Sequence, residues 1–292
     1  MARIDSLNIL LQGGSPGAKD KLAEMYGKVI EGVQKQLVSA RIKNMDLSGD
    51  PAAGTVEAKR FVNAAAQNYG TARAANKGAS VKALPVVIPI NVNKEIVEEL
   101  EEKDVSLFGV DGLLARRAQN HIQIMAAELD TAFFAEAKSA GTRLIIPNTV
   151  TAIEDIIEYG IQAVETIQND YVDGVPRDML KLVCSPAYYG KIRNKLDTLT
   201  RVNVDTAAEE FFAFHGVETF ASIHLPASTN FMVMINGAVA QPVKSDPYTA
   251  EKIPLADAVA LELFYYYGTK AVMPDLIAYS GASGATGATG TT

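Results

Sequence analysis

The longest regular pattern of apolar positions in the chain lies between Gly109 and Gly141. Apolar side chains recur there at intervals of three and four residues, at Leu114, Ala118, Ile122, Met125, Leu129 and Phe133. This spacing keeps them on one face of a helix. Asp111 is placed to cap its start, and Lys138 suits its carbonyl end. The pattern predicts one helix over residues 111–140, roughly 45 Å long at ~1.5 Å per residue.

Two segments before this helix have other patterns. Residues 18–40 hold apolar side chains at helical spacing and charges on the remaining faces, which predicts an amphipathic helix. Residues 88–93 alternate apolar and polar side chains with period two, as a strand with one buried face does. Its pairing partner is expected within residues 56–73, with a turn at residues 76–78. The chain thus predicts a two-stranded excursion, which needs another surface because such a ribbon is not stable alone.

The part that follows the long helix alternates helices and strands. Its predicted helices are residues 153–167 and 186–196. Its predicted strands are residues 180–184, 217–225, 231–243 with a turn at residues 236–237, 259–267 and 271–277. Beyond residue 279 the composition narrows to Gly, Ala, Ser and Thr, which predicts a flexible tail.

Composition narrows the class of protein. With 48% hydrophobic and 21% charged residues in 292, the chain is globular. It has no apolar run of membrane-spanning length and no signal-peptide pattern, so we expect a soluble protein made in the cytoplasm. The single cysteine, Cys184, excludes an internal disulfide. A formal net charge of -7 argues against a dedicated nucleic-acid binder.

The charge is unevenly distributed before the long helix. Residues 56–94 carry six basic side chains and one acidic one, a balance of +5, whereas residues 95–104 carry six acidic and one basic, a balance of -5. Two interpretations of these segments of opposite charge stay open. They pair with each other, within one chain or between copies, or they form two separate solvated faces.

The residues offer little chemistry. The three histidines, His121, His215 and His224, share no metal-ligand spacing, and His121 is expected to pack on the long helix. Cys184 is expected to be a small buried hydrophobe. Residues 13–20 fail as a phosphate loop, since Ala18 replaces the required glycine and Asp20 the required Ser or Thr. We therefore assign no catalytic, cofactor-binding or metal-binding residue.

The order of these parts, with several short sequences, resembles the major capsid protein of tailed bacteriophages. Its fold is named after the Hong Kong phage and is shared with encapsulin shells. The sequences that carry the resemblance are VVIPI at residues 86–90, FGVD at 108–111, ELD at 128–130, YYGTKAV at 266–272 and PDLI at 274–277.

The resemblance implies an α+β capsid fold with an N-arm, an E-loop, a long spine helix, a peripheral domain and an axial domain. The implied parts are an N-terminal arm at 1–54, an E-loop-like excursion at 55–104, the spine helix and peripheral domain at 105–150, an axial α/β domain at 151–250, peripheral return strands at 251–279 and the tail at 280–292. The apolar stripe of the helix should pack on the C-terminal sheet, and Arg116, Arg117 and Gln123 should face a neighbour or the particle interior.

The resemblance also implies a non-enzymatic shell subunit without cofactors, which forms hexamers and pentamers of an icosahedral capsid around the phage genome. Assembly would occur in the host cytoplasm, the protein would reside in the virion capsid, and packaged double-stranded DNA would be contacted weakly, with no membrane contact. Scaffolding, portal and decoration proteins are further partners that it allows. The candidate inter-subunit residues are Lys59, Arg60, Arg73, Lys77 and Lys82 of one copy, facing Glu98, Glu99, Glu101 and Glu102 of a neighbour.

Three alternatives stay open on the sequence. An encapsulin-like compartment has the same fold and encloses cargo proteins. A soluble hydrolase or nucleotide-binding enzyme would be centred on residues 13–19 or on Cys184. A tail tube or portal protein would be a different part of a virion.

Overall fold

The computed structural model describes residues 16–71, 78, 80–101, 110–198, 213–254 and 258–281. The helices are α1 (Pro16–Gln36), α2 (Val110–Ala140), α3 (Ile153–Glu165) and α4 (Pro186–Thr198). The strands up to the middle of the chain are β1 (Thr55–Phe61), β2 (Ala83–Pro89), β3 (Val92–Glu101), β4 (Thr142–Arg143), β5 (Gln168–Asn169), β6 (Val172–Asp173), β7 (Leu180–Cys184) and β8 (Ala213–Phe214). The later strands are β9 (Val217–Ala221), β10 (Thr229–Ile235), β11 (Val239–Ala240), β12 (Val243–Ser245), β13 (Thr249–Lys252), β14 (Ala258–Tyr267), β15 (Lys270–Ala271) and β16 (Ile277–Gly281). This mixture confirms the predicted α+β class.

Helix α2 confirms the predicted long helix to within one residue. It spans 31 residues, and each of the six side chains of its predicted apolar stripe is at most 7% exposed. The stripe packs on β14, as predicted, through Leu261, Leu263, Tyr265 and Tyr267. The longest helix of the described chain is therefore held by the C-terminal sheet of its own chain.

Helix α1 covers the other side of the same stripe. Contacts advance along both helices in the same direction, from Lys21 with Asp111 to Val38 with Asp130, so the helices run parallel. Between these points a Cβ on Gly32 would lie 2.4 Å from Ile122 Cδ1. The close approach of α1 to α2 thus depends on a residue without a side chain.

A four-stranded sheet packs against these two helices. Strand β14 lies in its middle, with β3 antiparallel along its whole length on one side and β12 and β13 on the other. The sequence predicted no strand over residues 94–101, which it placed in the acidic part of the excursion. The structure pairs them with β14 because Ile96 and Leu100 continue the period-two alternation toward the core.

A six-stranded sheet forms the second lobe, in the order β4-β16-β10-β7-β9-β8. One face packs against α3 and α4 through Leu182, Phe231 and Val233. The opposite face packs against the end of α2 through Val183, Met232 and Met234. Strand β7 is the strand predicted at residues 180–184, and burial on both faces explains its continuous apolar sequence.

The predicted strand at residues 271–277 is wrong, whereas the turn predicted inside residues 231–243 is confirmed. Residues 271–277 were expected to form one strand, but β15 ends at Ala271 and a 3₁₀ turn occupies Pro274–Leu276 before β16 begins. Proline has no N–H to donate to a ladder, so the strand resumes only after the turn. Strand β10 ends at Ile235, and the turn predicted at residues 236–237 follows it, where Gly237 adopts a left-handed φ of 86°.

We predict that Phe133→Ala lowers the free energy of unfolding by about 3–5 kcal/mol, because it empties a fully buried position where α2 meets the six-stranded sheet. Ile124→Ala is the matched control on the same helix, since Ile124 is 45% exposed, and should cost about 1 kcal/mol or less. Urea unfolding followed by circular dichroism measures both. Equal losses would contradict the placement of the buried stripe.

Candidate assembly surfaces

The two-stranded excursion is an antiparallel ribbon of β1 and β2, paired from Thr55 with Pro89 to Phe61 with Ala83. The strand predicted at residues 88–93 is wrong in its bounds, because β2 ends at Pro89 and residues 92–93 begin β3. Its inner face rests on the body of the same chain. Ala58 and Ile88, 1% and 0% exposed, pack there against Ala240 and Val272. The base of the ribbon therefore rests on an apolar surface of its own chain.

The outer face of the ribbon is uncovered in the single chain. Its members are Glu57, Lys59 and Phe61 on β1 and Ala83, Pro85 and Val87 on β2. Phe61 is 56% exposed and Val87 is 50% exposed. Strand β2 thus carries apolar side chains on both faces, the sequence of a strand that is buried on both sides.

A second exposed surface lies on the outer side of the four-stranded sheet, which we call the acidic sheet face. Its carboxylates are Glu95, Glu99, Glu251 and Glu262. Between them lie Phe264, paired with Glu95, and Val97, which is 51% exposed. The surface combines negative charge with apolar side chains and so complements a basic, apolar partner.

The predicted inter-subunit residues fall into three groups. Arg73, Lys77 and Glu102 lie outside the described residues. Lys59 and Lys82 on the ribbon and Glu99 on the acidic sheet face are exposed, and Glu101 is half-buried. Arg60 and Glu98 are each bound to side chains of their own chain.

Arg60 lies on the inner face of the ribbon and makes a two-pronged ion pair with Asp275. Its two terminal nitrogens donate to the two carboxylate oxygens at 2.5 and 2.7 Å. The side chain of Arg60 is only 10% exposed. A neighbouring copy cannot reach this guanidinium without breaking that pair.

Glu98 points into the body between β3 and α2. It accepts a hydrogen bond from Arg117 Nε at 2.6 Å, and its Oε2 lies 3.0 Å from His121 Nε2. Arg117 was expected to face a neighbour or the particle interior, and it faces its own sheet instead. Although burial raises the pKa of Glu98, its hydrogen bonds from Arg117 and His121 hold that pKa below the ordinary value.

His121 is fully buried, which confirms the expectation that it packs on the long helix. Its Nδ1 lies 2.5 Å from the hydroxyl of Tyr248, and the two rings stack. Burial lowers the pKa of His121, although the hydrogen bond to Glu98 opposes this shift. The neutral imidazole satisfies both neighbours if Nε2 donates to Glu98 and Nδ1 accepts from Tyr248.

The other groups considered for chemistry are structural. Cys184 is fully buried, and burial raises the pKa of its thiol to about 12, so it is not a thiolate nucleophile at neutral pH. His215 Nδ1 lies 2.6 Å from Glu158, which also accepts hydrogen bonds from Arg177. Within the described ranges, no group of three His, Cys, Asp or Glu side chains could hold a metal ion.

The sequence did not indicate the exposed Phe61 and Val97 or the half-buried Phe264 as candidates. The signal that could have found Phe61 and Val97 is the alternation along their own strands, because it places Phe61 on the other face from the buried Ala58 and Val97 on the other face from Ile96.

Comparison with solved structures identifies the fold. The chain is similar to a structure from Mycobacterium phage Che8, with a TM-score of 0.58 and 17% identity over 78% of this chain and 84% of that chain. It is also similar to the capsid structure of cyanophage P-SCSP1u, with a TM-score of 0.58 and 16% identity over 83% and 86% of the two chains. A virus-like particle from Pyrococcus furiosus has a TM-score of 0.56 and 12% identity over 89% and 98%.

These similarities confirm the predicted phage capsid fold. No protein-family model and no curated protein matches the sequence. No helix within the described residues is long and apolar enough to cross a membrane.

The buried histidine predicts a pH dependence of stability. The folded chain holds His121 below its ordinary pKa of 6.5, so the unfolded chain binds more protons as the pH falls below that value. The free energy of unfolding should therefore decrease from pH 7.5 to pH 5.5, by up to ~1.4 kcal/mol per pH unit from this one group. Denaturant titrations at each pH measure this slope.

The decrease should be smaller in His121→Asn, which has no imidazole to protonate. His224→Asn is the control, because His224 lies outside the network of Glu98 and Tyr248, and it should keep the wild-type slope. A wild-type slope in His121→Asn would show that another group causes the dependence.

Proposed function

We propose that this chain is a structural shell subunit that self-assembles into an icosahedral capsid enclosing a phage genome. The observation that carries the proposal is the ribbon, whose inner face is seated on its own body while its outer face exposes Phe61 and Val87. A soluble monomer gains nothing from such a surface, whereas a subunit of a closed shell buries it against the next copy.

The acidic sheet face of a neighbouring copy is the surface that best fits the ribbon. The ribbon brings Lys59 and Lys82 beside its apolar side chains, and the sheet offers Glu99 beside Val97. Arg73, Lys77, Glu101 and Glu102 stay candidates for the same contact. Each exposed ion pair contributes only ~0.2–1 kcal/mol, so the apolar contact supplies most of the affinity and the charges set orientation.

Rings of such contacts give hexamers and pentamers, the closed units from which an icosahedral shell is built. The net charge of -7 suits a container that holds double-stranded DNA weakly, since tight phosphate binding would oppose packaging and release. Assembly in the host cytoplasm, a location in the virion and association with scaffolding, portal or decoration proteins belong to this proposal.

Absence of enzymatic activity is also part of the proposal. The rival enzyme centred on Cys184 has little support, because the thiol is buried and its pKa is raised to about 12. Cys184→Ala should leave assembly unchanged.

Electron microscopy of the purified recombinant chain tests the proposal. Closed icosahedral particles, hexamers or pentamers support it, and a chain that stays monomeric at all concentrations contradicts it. The similarity to the Pyrococcus furiosus particle keeps an encapsulin-like compartment as the second candidate. Particles purified from the native source would contain DNA in the first case and protein cargo in the second.

We predict that Glu99→Lys lowers the yield of particles several-fold and leaves the free energy of unfolding within about 0.5 kcal/mol of the wild type, because Glu99 is exposed. Glu98→Lys would not separate the two effects, since Glu98 binds Arg117 in its own chain. Sedimentation and chemical denaturation measure the two quantities.

Asp178→Lys is the matched control, an exposed carboxylate in a 3₁₀ turn that belongs to neither surface, and it should assemble normally. Adding Lys59→Glu and Lys82→Glu to the Glu99→Lys chain should recover part of the yield, because the charges are then exchanged. Normal assembly of Glu99→Lys alone would exclude the acidic sheet face as the contact.

A further inference from the structure

The inner face of the ribbon meets two other elements at Arg60. The first is the 3₁₀ turn Pro274–Leu276, which carries Asp275 and is anchored by the fully buried Leu276. The second is the hairpin of β5 and β6, whose Tyr171 ring lies under the Arg60 guanidinium, 4.3 Å from its carbon to the ring centroid. One side chain of the ribbon therefore joins three elements that are far apart in the sequence.

The hairpin side of this contact is ordered by Asn169. Its side-chain oxygen accepts hydrogen bonds from the backbone N–H groups of Tyr171 and Val172 at 2.9 and 3.0 Å. This fixes the amide so that its Nδ2 donates to Asp275 at 2.6 Å. Asp275 thus receives hydrogen bonds from both Arg60 and Asn169. If the side chain of Arg60 or Asn169 rotates, its hydrogen bond to Asp275 is lost.

The Arg60 contact lies along the ribbon beyond the apolar seat of Ala58. Further along the ribbon, the N–H of Asn63 donates to the carbonyl oxygen of Asp170 at the hairpin tip, at 2.9 Å. The apolar seat of Ala58 and Ile88 is a surface on which a ribbon can slide or tilt, because apolar contact has little directional preference. The planar, two-pronged pair of Arg60 and Asp275 has a defined direction.

We propose that Arg60, Asp275, Asn169 and Tyr171 form a clamp that fixes the angle at which the ribbon leaves its own chain and so positions the ribbon's outer face for the neighbouring copy. The second half of this statement rests on the proposed function. The first half concerns the single chain and holds whether or not a shell forms. In this role Arg60 is a positioning residue, in place of the inter-subunit contact that its charge suggested.

Spin labels on the unassembled chain test the clamp directly. One label replaces Val81, 84% exposed at the edge of the ribbon, and the other replaces Ile145, 83% exposed on the second lobe. Cys184 is fully buried and can stay in place. The distance distribution between the labels, measured by pulsed electron paramagnetic resonance, reports the range of ribbon angles.

We predict that Arg60→Ala at least doubles the width of this distribution. Arg60→Lys should also broaden it, because an ammonium keeps the charge but neither pairs in two prongs nor stacks on Tyr171. The lysine variant keeps the test valid if the alanine variant folds poorly. Lys59→Ala, which removes the adjacent cation from the opposite face of the same strand, should leave the width within the error of the wild type.

A charge exchange gives an independent check. Arg60→Asp alone should broaden the distribution, and Arg60→Asp with Asp275→Arg should narrow it again. An unchanged width in both Arg60→Ala and Arg60→Lys would overturn the clamp.

Particle assembly tests the second half separately. Arg60→Lys should give fewer or irregular particles by electron microscopy, at least threefold below the wild-type yield. If its particles are normal while the distance distribution is broadened, the link from clamp to assembly is wrong. If the wild-type chain never forms particles, the proposed function fails, and the label distances still decide whether the clamp exists.

Discussion

Burial of the apolar stripe along α2 is the constraint on which the rest of the chain depends. A helix of 31 residues with one apolar face cannot stay in water, and no single neighbour covers it. Helix α1 and strand β14 cover its first two thirds, and the six-stranded sheet covers the end at Phe133. The helix thereby sets the relative position of both sheets, and the surfaces that they leave exposed follow from that placement.

Two polar groups, the half-buried Glu98 and the buried Asp130, keep this arrangement in one register. Glu98 of β3 reaches Arg117 and His121 on α2, so a shift of the strand by one residue would turn this carboxylate outward and leave the imidazole without its partner. On the other side of the stripe, Asp130 accepts the backbone N–H groups of Val38 and Ser39 just beyond α1. Apolar contact supplies the stability, and these directional bonds select one alignment.

The sequence predicted those helices and strands whose apolar residues recur at regular local spacing. Helix α2 and strand β7 were located to within one residue, since their apolar spacing is regular. Strand β3 was missed because its five charged side chains conceal the period of two carried by Ile96 and Leu100. The intrachain roles of Arg60 and Glu98 could not be predicted, because charge alone does not say whether a partner lies in the same chain. Asp275 follows Arg60 by 215 residues.

The two faces of the ribbon differ in whether their side chains have contacts within the single chain. Along β1, alternate residues are either packed on the body, as Ala58 is, or exposed beside apolar side chains of β2, as Phe61 is. The polar bonds at its base use Arg60, whose two terminal nitrogens are paired with Asp275 of the same chain. The cations left for association are therefore those on the outer face and edges, Lys59 and Lys82 among the described residues. The fold thus favours, among the charged residues that the sequence suggested for contacts between subunits, those whose side chains point away from the body.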